Sequence, residues 1–170
     1  QAEARVEARA STRAMYDEAQ KYTADKLSAI HTYATNYAPH PTLLTEGAML
    51  TEADVASAFA PWIRGKSGAG VEGNTAFAHI QEVSPGVFSF PLFTPSFCSK
   101  LVETIDSFEA CPLVKRRPNT MNNYGMVIND IGLMPLMDDV LKKIIAPFTA
   151  KYFAKEMFAR SLDHHHSFAV

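Results

Sequence analysis

The stretch from Arg116 to Gly132 constrains this chain more than any other. It opens as a polar, proline-marked loop with Arg116, Arg117, Pro118 and Asn119. It passes through Asn122, Asn123 and Tyr124, turns apolar at Met126, Val127 and Ile128, and stops at Gly132. Asparagine and proline dominate turns, so one reading is a simple turn. The other is a pocket lining, in which a few placed polar groups sit at the mouth of a buried strand. On that reading Asn122, Asn123 and Tyr124 are the candidate lining residues, on a strand from Asn122 to Ile128.

Composition narrows the classes. At 170 residues with 47% hydrophobic and 20% charged side chains, the chain supports one domain with or without an arm. A formal net charge of -2 gives no electrostatic footprint for nucleic acid. No apolar run reaches the roughly 20 residues that span a bilayer, so no membrane partner is expected. Cys98 and Cys111 lack metal-type spacing, and Cys98 is expected to be a small buried hydrophobe. Nothing in this cysteine usage implies an oxidising compartment, so an intracellular location is expected. The start, Gln1 to Glu7, has no basic segment followed by an apolar one and no initiator Met, so the chain is expected to be processed or a fragment.

Taken in order, residues 2 to 38 predict one long helix, uninterrupted by Gly or Pro before Pro39. Met15, Ala19, Tyr22, Ile30, Tyr33 and Tyr37 make its stripe, and Lys26 breaks it. The stripe suits a helix lying on its own domain, or a helix partner for 1–38. Thr51 and Asp54 predict the start of a short helix with Val55, Phe59, Trp62 and Ile63 inside. Gly65, Lys66 and Ser67 echo the end of a phosphate-binding loop, but Ala60 stands where its first glycine belongs.

Residues 76–93 predict a hairpin turning at Ser84, Pro85 and Gly86, with Phe88, Phe90 and Leu92 on one face. Pro91 marks its second arm as an edge. Thr94 and Pro95 open a helix with Phe97, Leu101, Ile105 and Phe108 inside. Lys115 to Arg117 are expected in a solvated loop. Pro135 to Phe153 predict a helix kinked at Pro147. Leu162 to Val170 predict a strand, with Phe168 and Val170 on one face.

Several pieces together carry a resemblance. They are Gly86 to Pro95, then Arg117 to Gly125, then Ile131 and Gly132, and finally Leu162 to Val170. Their order and spacing resemble the amino-terminal portion of a 2-oxoglutarate- and Fe(II)-dependent dioxygenase, in the branch similar to prolyl and lysyl hydroxylases. The resemblance implies an α+β chain: N-terminal helices, then the first strands and supporting helices of an incomplete jelly roll. It divides the chain into a helical arm and linker, 1–75, and a truncated dioxygenase-like half, 76–170. For the parent enzyme it implies Fe(II) and 2-oxoglutarate, with ascorbate as a further cofactor.

The family holds iron with two histidines and a carboxylate, the first pair spaced His-x-Asp. None of His31, His40, His79, His164, His165 and His166 is followed two residues later by Asp or Glu. No catalytic or metal residue is therefore expected in this chain, and none of these cofactors for the chain alone. The run His164-His165-His166 reads as the start of a strand, with His164 and His166 on one face. A metal site of its own is the disfavoured alternative.

Overall fold

The computed structural model describes residues 21–45, 47–65, 75–118, 124–155, 162 and 164–170. Helix α1 runs through 21–36. Short 3-10 turns follow at Pro41–Leu44 and Ser57–Phe59, the second leading into α2, Ala60–Ile63. Another at Thr75–His79 precedes strands β1, Gln81–Ser84, and β2, Val87–Ser89. Helix α3 is Pro95–Ala110, strand β3 Met126–Val127, helix α4 Met134–Val140, helix α5 Ala146–Tyr152 and strand β4 Phe168–Ala169. Helix predominates over strand, a mixture compatible with α+β.

One core joins residues from both ends of the described chain. Tyr33, Leu44, Val55, Phe59 and Trp62 pack in the same cluster as Phe97, Phe108, Ile131, Leu136 and Ile144. The Tyr33 ring meets Phe108 edge-on at 5.0 Å, and its hydroxyl donates to the Thr104 carbonyl at 2.5 Å. Burial pushes that phenol above its usual range. An aromatic wall holds the hairpin to α5. Phe88 contacts Phe148, Tyr152 and Phe153, and Phe90 also contacts Phe148.

Helix α3 forms as its signals predict. The Thr94 hydroxyl accepts from the Phe97 amide at 3.3 Å, Pro95 sits in the first turn, and Phe97 and Phe108 are buried. The same geometry corrects Cys98, which is exposed while Cys111 is buried. Phe97 sets the inner face, and its neighbour along the helix is rotated by roughly 100° from it.

The Thr51–Asp54 hydrogen bonds also form, at 2.8 and 2.6 Å to Asp54 Oδ2, but they close a turn and start no helix. The following backbone pairs with the segment before α3 instead: Ala56 N donates to Leu92 O at 2.7 Å and Thr94 N to Asp54 O at 2.9 Å.

The hairpin is shorter than predicted. β1 and β2 pair antiparallel, with an irregularity between Glu82 and Ser84, and Gly86 takes φ 74° in the turn. Pro91 has no amide to extend the ladder, and residues 75–79, including His79, wind into a 3-10 turn. Phe88, Phe90 and Leu92 do share the half-buried face.

Of the strand expected over Asn122–Ile128, the described residues give Met126–Val127: Tyr124 and Gly125 lie before it and Ile128–Ile131 coils into a 3-10 turn, while Asn122 and Asn123 lie outside the described residues. β3 pairs antiparallel with β4, Met126 opposite Ala169 and Val127 opposite Phe168. Among the described residues both sheets are two-stranded. The helix from Pro135 is present, but the irregularity falls before Pro147, as a widened π-helical turn at Leu141–Ile145. Proline lacks the amide for the preceding turn and its ring crowds the carbonyl four residues back.

Candidate functional site

The loop at Arg116 and the β3–β4 ribbon are anchored by charge and by close backbone packing. Arg116 Nε donates to Asp130 Oδ2 at 2.6 Å and Nη2 to Oδ1 at 2.5 Å. This two-pronged pairing matches the guanidinium fork to the carboxylate. Lys26 Nζ approaches Asp130 Oδ1 at 3.4 Å, and the Arg116 guanidinium lies over the Tyr22 ring at 5.2 Å. Together they border a cavity of about 210 Å³.

The Lys115–Arg117 run is an exposed loop, as expected, with two of its side chains tethered: Arg116 to Asp130, and Lys115 Nζ to the Cys111 carbonyl at 2.5 Å. Lys26 breaks the α1 stripe because it faces this carboxylate. Arg116 and Asp130 stood within the singled-out stretch, but that break was the sequence's one trace of their pairing.

Burial pushes the Asp130 carboxyl up, but the Arg116 hydrogen bonds and the Arg116 and Lys26 charges outweigh it and hold it below its usual range. The Asp130 hydrogen bond raises Arg116 further. The sign for stability follows. A carboxyl depressed in the folded state stabilises above its unfolded value, about pH 4, and loses that contribution as pH falls through the folded value. Wild type should therefore melt above Asp130→Asn at neutral pH. The gap should narrow below about pH 4, as read from melting temperatures across the acid limb.

Tyr124 is 84% exposed, one residue before Gly125. Asn122 and Asn123 lie outside the described residues. Gly125 has φ 95°, and a Cβ added there would stand 2.1 Å from the Ala169 carbonyl oxygen. The ribbon thus presses on Gly125 directly. The Ile128 amide extends the pairing to Ser167 O at 3.0 Å.

Before β4, His165 is half-buried while His164 and His166 are exposed, the alternation expected of a strand. His165 Nε2 lies 3.1 Å from Asp138 Oδ1, and the Ser167 hydroxyl 2.9 Å from His165 Nδ1. His166 Nε2 is 3.4 Å from the Pro118 carbonyl. These contacts fasten the start of β4 to α4 and to the loop. Among the described residues no group of three His, Cys, Asp or Glu side chains is placed to hold a metal ion. The described residues do not fit a facial triad.

A second cavity, of about 470 Å³, lies between α1 and α4, with Leu27, Ile30, Leu44, Met134 and Asp138 in its walls. No helix among the described residues is long and apolar enough to cross a membrane.

Residues 36–157 match the OGFOD2-like domain, well over half of the chain and including both partners of the Arg116–Asp130 pair. The chain belongs to that family. An OGFOD2-like chain of this kind has named relatives. It is 41% identical over 95 residues to the 2-oxoglutarate and iron-dependent oxygenase domain-containing protein CP2 of Arabidopsis thaliana, covering 54% of this chain and 24% of the relative. It is 41% identical over 85 residues to the 2-oxoglutarate and iron-dependent oxygenase domain-containing protein 2 of Xenopus tropicalis, covering 49% and 24%. With the ICU11 protein of the same name series in Arabidopsis thaliana it shares 33% over 121 residues, covering 69% and 30%. The chain thus spans about a quarter to a third of the length of these relatives. No solved structure matches. The resemblance read from the sequence to the 2-oxoglutarate- and iron-dependent oxygenases holds at the family level.

Proposed function

We propose that this OGFOD2-like chain supplies the amino-terminal helices and first strands of a 2-oxoglutarate- and Fe(II)-dependent dioxygenase acting as a hydroxylase. The metal ligands and the jelly-roll strands that carry them are supplied by residues outside these 170. The β3–β4 ribbon is the part of this chain that joins that jelly roll, and Tyr124, with Asn122 and Asn123, lines the co-substrate pocket there. The observation that carries the reading is the family match over 36–157, with relatives named for 2-oxoglutarate and iron dependence. The other reading, a non-catalytic helical interaction module built on 1–38, has no comparable support.

The test compares the protein from the whole coding sequence with the 170-residue chain, each supplied with 2-oxoglutarate and Fe(II). The longer protein should form succinate in an iron-dependent way, and the shorter should not. Iron-dependent succinate from the 170 residues alone would overturn the division of labour. In the longer protein, Tyr124→Phe should raise the KM for 2-oxoglutarate; an unchanged KM would remove Tyr124 from the pocket.

A further inference from the structure

Between Arg116 and Asp130 the chain leaves α3's connector, passes Tyr124 and Gly125, forms β3 and coils into its 3-10 turn. The two charged residues are 14 positions apart, so their pairing closes the base of this whole segment. We propose that Arg116 and Asp130 are positioning residues, which set where Tyr124 and β3 stand, with Lys26 and Tyr22 of α1 as the brace. The proposal rests on the oxygenase reading for its catalytic consequence, and on the geometry alone for its structural one.

Three observations carry it. First, both oxygens of Asp130 are engaged by one guanidinium, which fixes direction as well as distance; a single lysine bond does neither. Second, the Asp130 side chain is only 13% exposed, so it is held in place by partners and not by water. Third, among the described residues the segment is also fastened toward β4: Gly125 against Ala169, Met126 and Val127 paired with β4, Ile128 N on Ser167 O, and the Pro118 carbonyl near His166, while Met126 packs in the core. On the α1 side Arg116, Asp130, Lys26 and Tyr22 are what ties it down. Tyr124 is a large aromatic at 84% exposure within a segment braced from two directions. An aromatic side chain presented to solvent from a fixed base is arranged to meet something, and its aim depends on that base.

The chain's tyrosines give the test. The 170-residue chain is labelled with 3-fluorotyrosine, and the Tyr124 line is assigned by its loss in Tyr124→Phe. Arg116→Ala and Asp130→Asn should shift the Tyr124 and Tyr22 fluorine lines. The lines of Tyr33, fully buried in the core, and Tyr152, in the aromatic wall, should stay put. Arg116→Lys keeps the charge but loses the fork, and should move the Tyr124 line in the same direction by a smaller amount. A Tyr124 line that stays fixed in folded Arg116→Lys overturns the proposal. So does a common shift of all tyrosine lines, which would mean general loosening.

In the protein from the whole coding sequence, Arg116→Ala should raise the KM for 2-oxoglutarate about tenfold, the scale of a misplaced binding group, with kcat little changed. If wild type there forms no succinate, the oxygenase reading and this catalytic consequence fall together. The fluorine result decides the positioning role separately.

Discussion

Replacing Trp62 by alanine should cost about 3–5 kcal/mol of stability. Trp62 is the chain's one tryptophan and is fully buried. It meets Phe59 at 5.5 Å and Phe77 at 5.1 Å, and through them reaches Phe90 and Tyr152. Its removal takes the common neighbour from two short elements, the 57–59 and 75–79 turns. Domains of this size have roughly 5–15 kcal/mol in total, so about a fifth or more of the stability is at stake. Urea unfolding should show a lower midpoint with an unchanged slope. A loss under about 1 kcal/mol would mean that residues 57–65 and 75–79 stand outside the cooperative core.

Gly125→Ala should be nearly as damaging, for a different reason. At φ 95° a side chain is strained by about 1–2 kcal/mol. The added carbon would also stand 2.1 Å from a backbone oxygen, Ala169 O, which cannot swing aside as a side chain does. β3 and β4 pair through only two residues each, so relief by backbone movement separates them. The expected result is a loss of about 2 kcal/mol or more, with faster hydrogen exchange at the Ile128 amide, whose partner is Ser167 O. A variant with wild-type stability and wild-type protection at Ile128 would show that the ribbon yields without cost.

These two sites differ in how much the sequence revealed of them. Trp62 was legible as the inner face of a short helix because its apolar neighbours recur at helical spacing. Helix α3 was legible to the residue at its start, since a threonine cap and a following proline act locally. What escaped was set by distant partners. Thr51 and Asp54 carry a helix-start signal, yet their following backbone pairs with Leu92 and Thr94. At its described end, the strand expected up to Ile128 stops at Val127, where the 3-10 turn Ile128–Ile131 begins and the pairing with Phe168 and Ala169 of β4 runs out. Of the candidate site, Tyr124 and the polar loop could be named from composition. The Arg116–Asp130 pair could not, because nothing local distinguishes a paired charge from a solvated one, and only the lysine interrupting an apolar stripe hinted at it.

The widened turn at Leu141–Ile145 has a consequence for how this helix tolerates change. Its buried residues are Leu136, Leu141, Ile144 and Phe148, so the interval is five leading into the widened turn and then three and four. The extra residue acts as a cam. It lets α4 direct Leu136 and Asp139 toward the amino-terminal segment, where Asp139 accepts from the Leu50 amide at 2.9 Å, while α5 turns Phe148 and Tyr152 onto Phe88. Wound as a regular helix with the same number of residues, the second half would be rotated by roughly 100°, and its aromatic side chains would miss the hairpin. The widened turn is therefore what fits this number of residues between the two contacts, and a relative with a regular helix here should be one residue shorter.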